Sequence, residues 1–76
     1  MKELIEFVAK SLVDEPDAVR AHSYDRGDQT IIELEVAPND LGKVIGRQGR
    51  TARALRTLLA AAGQKSRRRT MLDILD

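Results

Sequence analysis

The tetrad Gly46-Arg47-Gln48-Gly49 separates two apolar-periodic stretches, and it constrains this chain more than any other feature. Glycine reaches left-handed backbone conformations that other residues avoid, so the tetrad ends one helix and prepares the start of the next. The first is short, running through Leu41, Val44 and Ile45 after Pro38-Asn39-Asp40, with Asn39 or Asp40 as its N-cap. The second runs from about Arg50 to Ala62, with Leu55, Leu58, Leu59 and Ala62 at core spacing and Gly63 as its C-cap. Without a Cβ at two positions the turn admits another backbone closely. The helix that follows offers unpaired N–H groups and the positive end of its dipole. That chemistry binds anions and breaks no bonds.

The remaining elements follow from periodicity. Leu4, Ile5, Val8 and Leu12 mark an amphipathic helix from Lys2 to about Val13, ended by Asp14-Glu15-Pro16-Asp17. Residues 18–24 are weakly strand-like. After a turn at Asp25-Arg26-Gly27-Asp28 comes the clear alternation Thr30-Ile31-Ile32-Glu33-Leu34-Glu35-Val36, which predicts a hairpin. Ile32, Leu34 and Val36 face the core and Glu33 and Glu35 face water, leaving an open sheet face that is acidic and lacks stacking aromatics. The stretch Thr70 to Leu75 supplies a third strand. Two strands paired antiparallel and a third reached through helices predict a two-layer α+β domain of order αββααβ, with a mixed three-stranded sheet and helices on one face.

At 76 residues the chain is one domain, 1–76, and a domain of this size buries only about 60% of the surface its unfolded chain exposes. The absence of cysteine excludes disulfides and thiolate metal sites, and a single histidine, His22, argues against a metal-nucleated fold, so no metal or other cofactor is expected and oligomerisation is left as a stabiliser. Acids near the start and the absence of a long apolar run predict a cytoplasmic protein without membrane attachment. No nucleophile–base pair or Walker sequence is present, so no catalytic residue is assigned. The net charge of +1 conceals an asymmetry: 4 basic and 10 acidic residues precede Leu41, whereas 9 basic and 2 acidic residues follow. A positive face of that kind suits a polyanion, nucleic acid above all.

A Gly-x-x-Gly pair alone is weak, since average glycine content produces one in roughly a third of chains this long. Its context is specific. Val44-Ile45-Gly46-Arg47-Gln48-Gly49-Arg50-Thr51-Ala52-Arg53-Ala54-Leu55 resembles the signature of a KH domain, and the preceding strand pair resembles the type II arrangement. Over its whole length the chain resembles the KhpA family of small bacterial single-KH RNA-binding proteins. The resemblance implies a groove for about four nucleotides of single-stranded RNA. By position, Gly46, Arg47, Gln48 and Gly49 form the loop, Lys43 and Arg50 flank it at the phosphates, and Val44, Ile45 and the second strand floor the bases. Arg53 extends the basic stripe. Ala52 is smaller than the aliphatic residue many KH domains carry there, which puts the floor's shape in question. Acidic replacement of both Gly46 and Gly49 is expected to spare the fold and remove RNA binding.

Leu58 to Ala62 is apolar around its whole circumference, more than one sheet contact needs, so Leu58, Leu59, Ala61 and Ala62 are assigned to a partner interface. The resemblance implies a homodimer or a heterodimer with a larger KhpB-like KH protein, and an RNA-chaperone or post-transcriptional role connected with cell-wall and cell-length homeostasis. Two alternatives stand beside RNA binding. One is a protein-interaction adapter built on that apolar tract. The other is a helix-turn-helix DNA binder, disfavoured by a first helix too short to brace a recognition helix. The basic run 64–69 adds either long-range attraction for RNA or a solvated loop.

Overall fold

The computed structural model describes residues 1–66 and 68–76, the side chains of Lys65 and Ser66 excepted. Its elements are α1 (Lys2–Leu12), a 3₁₀ turn (Pro16–Ala18), β1 (Arg20–Arg26), β2 (Gln29–Glu35), a 3₁₀ turn (Pro38–Asp40), α2 (Leu41–Ile45), a 3₁₀ turn (Arg47–Gly49), α3 (Arg50–Ser66) and β3 (Arg69–Ile74). The sheet order is β1-β2-β3, antiparallel between β1 and β2 and parallel between β2 and β3. This is the αββααβ order and mixed sheet that the periodicities predict.

The helices cover one face of the sheet. Ile5 and Ala9 of α1, Ile32 and Leu34 of β2, Leu55 and Leu59 of α3, and Leu72 of β3 meet there in a single core with Val19, Val36 and Val44. Complete burial of an aliphatic side chain of this size is worth about 1.5–3 kcal/mol, so these positions hold the layers together. The hairpin is tighter than its sequence suggests. Arg26 pairs with Gln29, leaving a two-residue turn in which Gly27 takes φ +63°.

Three further expectations need correction. Gly63 does not cap α3, which continues to Ser66; it lies inside the helix, where a Cβ would stand 2.7 Å from Thr70 Oγ1 and 2.9 Å from the Arg68 carbonyl oxygen. Glycine is required there by the close passage of the incoming strand. Asp40 sits at the N-cap position of α2 but makes no capping hydrogen bond. Its carboxylate instead accepts the backbone N–H groups of Asp14 (3.2 Å) and Glu15 (3.0 Å), tying the end of α1 to the start of α2. The open sheet face does carry an aromatic: Tyr24, Ile31 and Met71 stand side by side across the three strands.

Candidate nucleic-acid interface

Backbone conformation makes the tetrad. Gly46 has φ +78° and ψ 170°, Gln48 has φ +57° and ψ 25°, and Gly49 has φ +73°. The Gly46 N–H donates to the Gly42 carbonyl at 2.8 Å, closing α2, and the Gly49 N–H donates to the Gly46 carbonyl at 3.1 Å, closing the turn. With the Arg50 N–H donating to the Arg47 carbonyl, the tetrad's remaining backbone donors are the N–H groups of Arg47 and Gln48. They lie at the N-terminus of a 17-residue helix, where the dipole favours an anion.

The two glycines are not equivalent. A Cβ on Gly46 would meet the Thr51 side-chain hydroxyl and stand 2.8 Å from both Thr51 Cβ and Thr51 N, whereas a Cβ on Gly49 would meet nothing within 4 Å. The expectation that acidic replacement of both glycines spares the fold is therefore corrected: at Gly46 the side chain has no room.

Arg47, Gln48 and Arg50 are exposed. Arg50 donates from its guanidinium to Gln48 Oε1 at 3.2 Å, which orients the Gln48 amide and leaves its NH₂ end outward. Arg53 is exposed one turn further along α3, and its carbonyl accepts the Thr57 hydroxyl. Lys43 is already engaged, donating to Asp14 Oδ2 at 2.7 Å and lying 3.5 Å from Asp40 Oδ1. Its pKa is raised, first by the hydrogen bond to Asp14, with burial opposing. Asp40, 1% exposed, is pushed upward by burial, but the Asp14 and Glu15 N–H groups and Lys43 outweigh this and hold it below the ordinary carboxyl range. Sequence alone gave no sign of this link, because its partners are 25 and 26 residues apart.

Val44 is corrected as a base contact. It is fully buried in the core and supports the loop from beneath, while its neighbour Ile45 is partly exposed beside the tetrad. The interface assignment on α3 also divides. Leu59 is fully buried and belongs to the core; Leu58 is 39% exposed, Ala61 is exposed and Ala62 is half-buried. A step of one residue turns 100° around a helix, which separates Leu58 from Leu59. On α1, Phe7 is 70% exposed, an apolar surface that the sequence reading passed over. Arg68, from the basic run, is committed to the hairpin: it donates to Thr30 Oγ1 (2.9 Å) and the Gln29 carbonyl (2.9 Å) and lies 3.3 Å from Asp25. Arg67 of that run lies outside the described residues.

Within the tetrad Arg47 and Gln48 are exposed, and Gly46 and Gly49 are half-buried. A groove of about 710 Å³ lies at the opposite end of α3, lined by Ala60, Gly63, Gln64, Thr70 and Met71 among others. At five residues, α2 is too short to brace a recognition helix. Among the described residues no cluster of His, Cys, Asp and Glu is placed to hold a metal ion, and no helix is long and apolar enough to cross a membrane.

A three-stranded mixed sheet, helices on one face and a left-handed Gly-x-x-Gly turn between the second and third helices define a KH domain of the type II arrangement. The chain belongs to the KhpA/KhpB KH-domain family, whose model matches residues 2–74. It is 55% identical over 76 residues to "RNA-binding protein KhpA" of Halalkalibacterium halodurans, covering 100% of both chains. Its identity to the protein of that name from Borreliella burgdorferi is 54% over 74 residues, covering 97% of this chain and 90% of the relative. With that of Aquifex aeolicus it shares 50% over 76 residues, covering 100% and 96%. No solved structure gives a significant match.

Proposed function

We propose that this protein binds single-stranded RNA, with its phosphodiester backbone held at Gly46 to Gly49. One observation carries the reading: two glycines in left-handed conformations place exposed Arg47, Gln48 and Arg50 together at the N-terminus of α3. The names of the relatives, each called an RNA-binding protein, support it. Arg47 forks hydrogen bonds to phosphate oxygens, Arg50 neutralises the next phosphate, and the outward amide of Gln48 meets phosphate, sugar or base. Ile45 offers an apolar contact to a base, and Arg53 prolongs the basic track. Lys43 reaches a phosphate only by leaving Asp14, so its part is secondary.

Assembly belongs to the same proposal. Exposed Leu58, with Ala61 and Ala62, offers an apolar surface on the helical layer for a second copy or a larger KhpB-like KH protein. Joining two weak RNA sites would raise affinity for an RNA long enough to span both. A cytoplasmic RNA-chaperone or post-transcriptional role, with effects on cell wall and cell length, extends the reading on family resemblance. The test is fluorescence anisotropy with a labelled single-stranded oligoribonucleotide and Arg47→Asp/Gln48→Asp, which leaves both glycines and the core intact. Loss of binding with an unchanged circular dichroism spectrum is expected; unchanged affinity refutes the phosphate cradle.

A further inference from the structure

The link between the end of α1 and the start of α2 reaches the border of the tetrad. Asp40 accepts the backbone N–H groups of Asp14 and Glu15, so the chain just past α1 is fixed beside α2. The Asp14 carboxylate is thereby held where it receives the Lys43 ammonium, at 2.7 Å. Lys43 is the one basic residue of α2 and stands three residues, less than one helical turn, before Gly46. Of the two carboxylates beside it, Asp40 is buried, already holds two N–H groups and lies 3.5 Å away, so Asp14 is the main partner. That partner is open to water, its side chain 78% exposed against 43% for Lys43. An exposed pair is weak and screened by salt, so an arriving phosphate can contest it. The other cations at the tetrad differ. Among the described residues no carboxylate stands within ion-pair distance of Arg47, Arg50 or Arg53.

We infer that Asp14 masks Lys43, so that the phosphate track starts at the tetrad and runs one way, along α3 through Arg50 and Arg53. The inference rests on the RNA reading of the tetrad and gives that site a boundary. A phosphate on the α2 side gains Lys43 only by displacing Asp14, which exchanges one ion pair for another. The displaced carboxylate, with the exposed acid Glu15 next to it, then faces the RNA backbone as a like charge. Counterions make the same point. A lysine whose counter-charge is built into the chain has no condensed ion to free from the RNA, so it adds little to the salt dependence of binding, whereas each unopposed arginine adds its full share. The acid after α1 thus settles how many phosphates the site counts and on which side of the tetrad they lie.

Removing the mask should show as one more phosphate. Fluorescence anisotropy of the full chain with a labelled single-stranded oligoribonucleotide, repeated across a salt series, tests this, with circular dichroism as the fold control. Asp14→Asn keeps the backbone N–H that Asp40 holds and removes only the charge. It should tighten RNA binding about threefold and steepen the log–log salt slope by about 0.7. Lys43→Gln made in the Asp14→Asn chain should abolish both gains, and should weaken binding about threefold more there than in the otherwise wild-type chain. A gain that survives Lys43→Gln reports only the loss of a repelling charge and overturns the masking. Affinity and slope unmoved by Asp14→Asn overturn it too. Arg47→Asp/Gln48→Asp keeps this failure apart from that of the underlying reading. If that variant binds RNA as the wild type does, the tetrad reading fails and the masking with it; if it loses binding while Asp14→Asn changes nothing, the masking alone fails.

Discussion

Replacing Gly46 with alanine should damage the fold far more than the same change at Gly49, although the two positions share nearly the same φ, +78° and +73°. Both carry the cost of placing a side chain at positive φ, about 1–2 kcal/mol for left-handed backbone, and Gly46, with ψ 170°, stands in a region almost confined to glycine. Alanine recovers about 0.4–1 kcal/mol by restricting the unfolded chain. Gly49→Ala meets open space, so its net loss should be about 1 kcal/mol. At Gly46 the new methyl would stand 2.8 Å from Thr51 Cβ and N, against a carbon–carbon optimum near 3.5–4.0 Å. Overpacking of that kind adds about 1–3 kcal/mol, for a net loss of about 2–4 kcal/mol. A domain of this length has a stability of about 4–11 kcal/mol. Its melting temperature falls about 4–8 °C per kcal/mol lost, so Gly46→Ala should melt at least about 8 °C lower. Urea unfolding followed by far-UV circular dichroism measures both losses. Equal losses at the two glycines would refute the claim that Gly46 is held against Thr51.

On α3, Leu59→Ala should lose about 2–5 kcal/mol by leaving a core cavity, and Leu58→Ala less than about 1 kcal/mol; similar losses in urea unfolding would contradict their placement. Asp40 has a depressed pKa in the fold, so its contribution is present above the unfolded value and is lost as pH falls through the folded one. Asp40→Asn should therefore destabilise most near neutrality and progressively less below pH 3.8, the ordinary value; a constant difference in urea midpoint across that range would count against the Asp14–Glu15–Lys43 link. Arg68→Ala should lower stability by about 1 kcal/mol through its lost hairpin contacts while leaving RNA affinity nearly unchanged, and anisotropy beside thermal melting separates the two effects. If Arg47 and Arg50 each neutralise one phosphate, the log–log salt slope of RNA binding should lie near −1.4 and move by about 0.7 on Arg47→Gln; an unmoved slope would remove Arg47 from the phosphate track.

Local pattern reached most of the architecture, because period-2 alternation at 30–36, helical periodicity in α1 and α3 and the glycine break at 46 each report on a single element. What it missed was tertiary. Gly63 follows an alanine-rich helix and looks like a cap, yet its role is set by Thr70, which approaches only after the chain has turned back. Asp40 stands where a cap belongs, but the Asp14 and Glu15 N–H groups claim its carboxylate. Leu58 and Leu59 are both apolar, and only the facing direction of α3 assigns one to surface and the other to core. Tyr24 could be placed on the open face only once the hairpin shortened to Gly27-Asp28 and fixed the register. The tetrad's residues were legible, since their type and spacing are the chemistry. The crowding that makes Gly46 and Gly49 unequal was not.

The central claim, that RNA is held at the tetrad, is tested most directly by an amide nitrogen–proton NMR titration of the wild-type chain with a short single-stranded oligoribonucleotide. The largest shifts should fall on the N–H groups of Gly46, Arg47, Gln48, Gly49 and Arg50 and fade along α3. Shifts centred instead on the hairpin turn and the start of β3, with the tetrad signals unmoved, would contradict it.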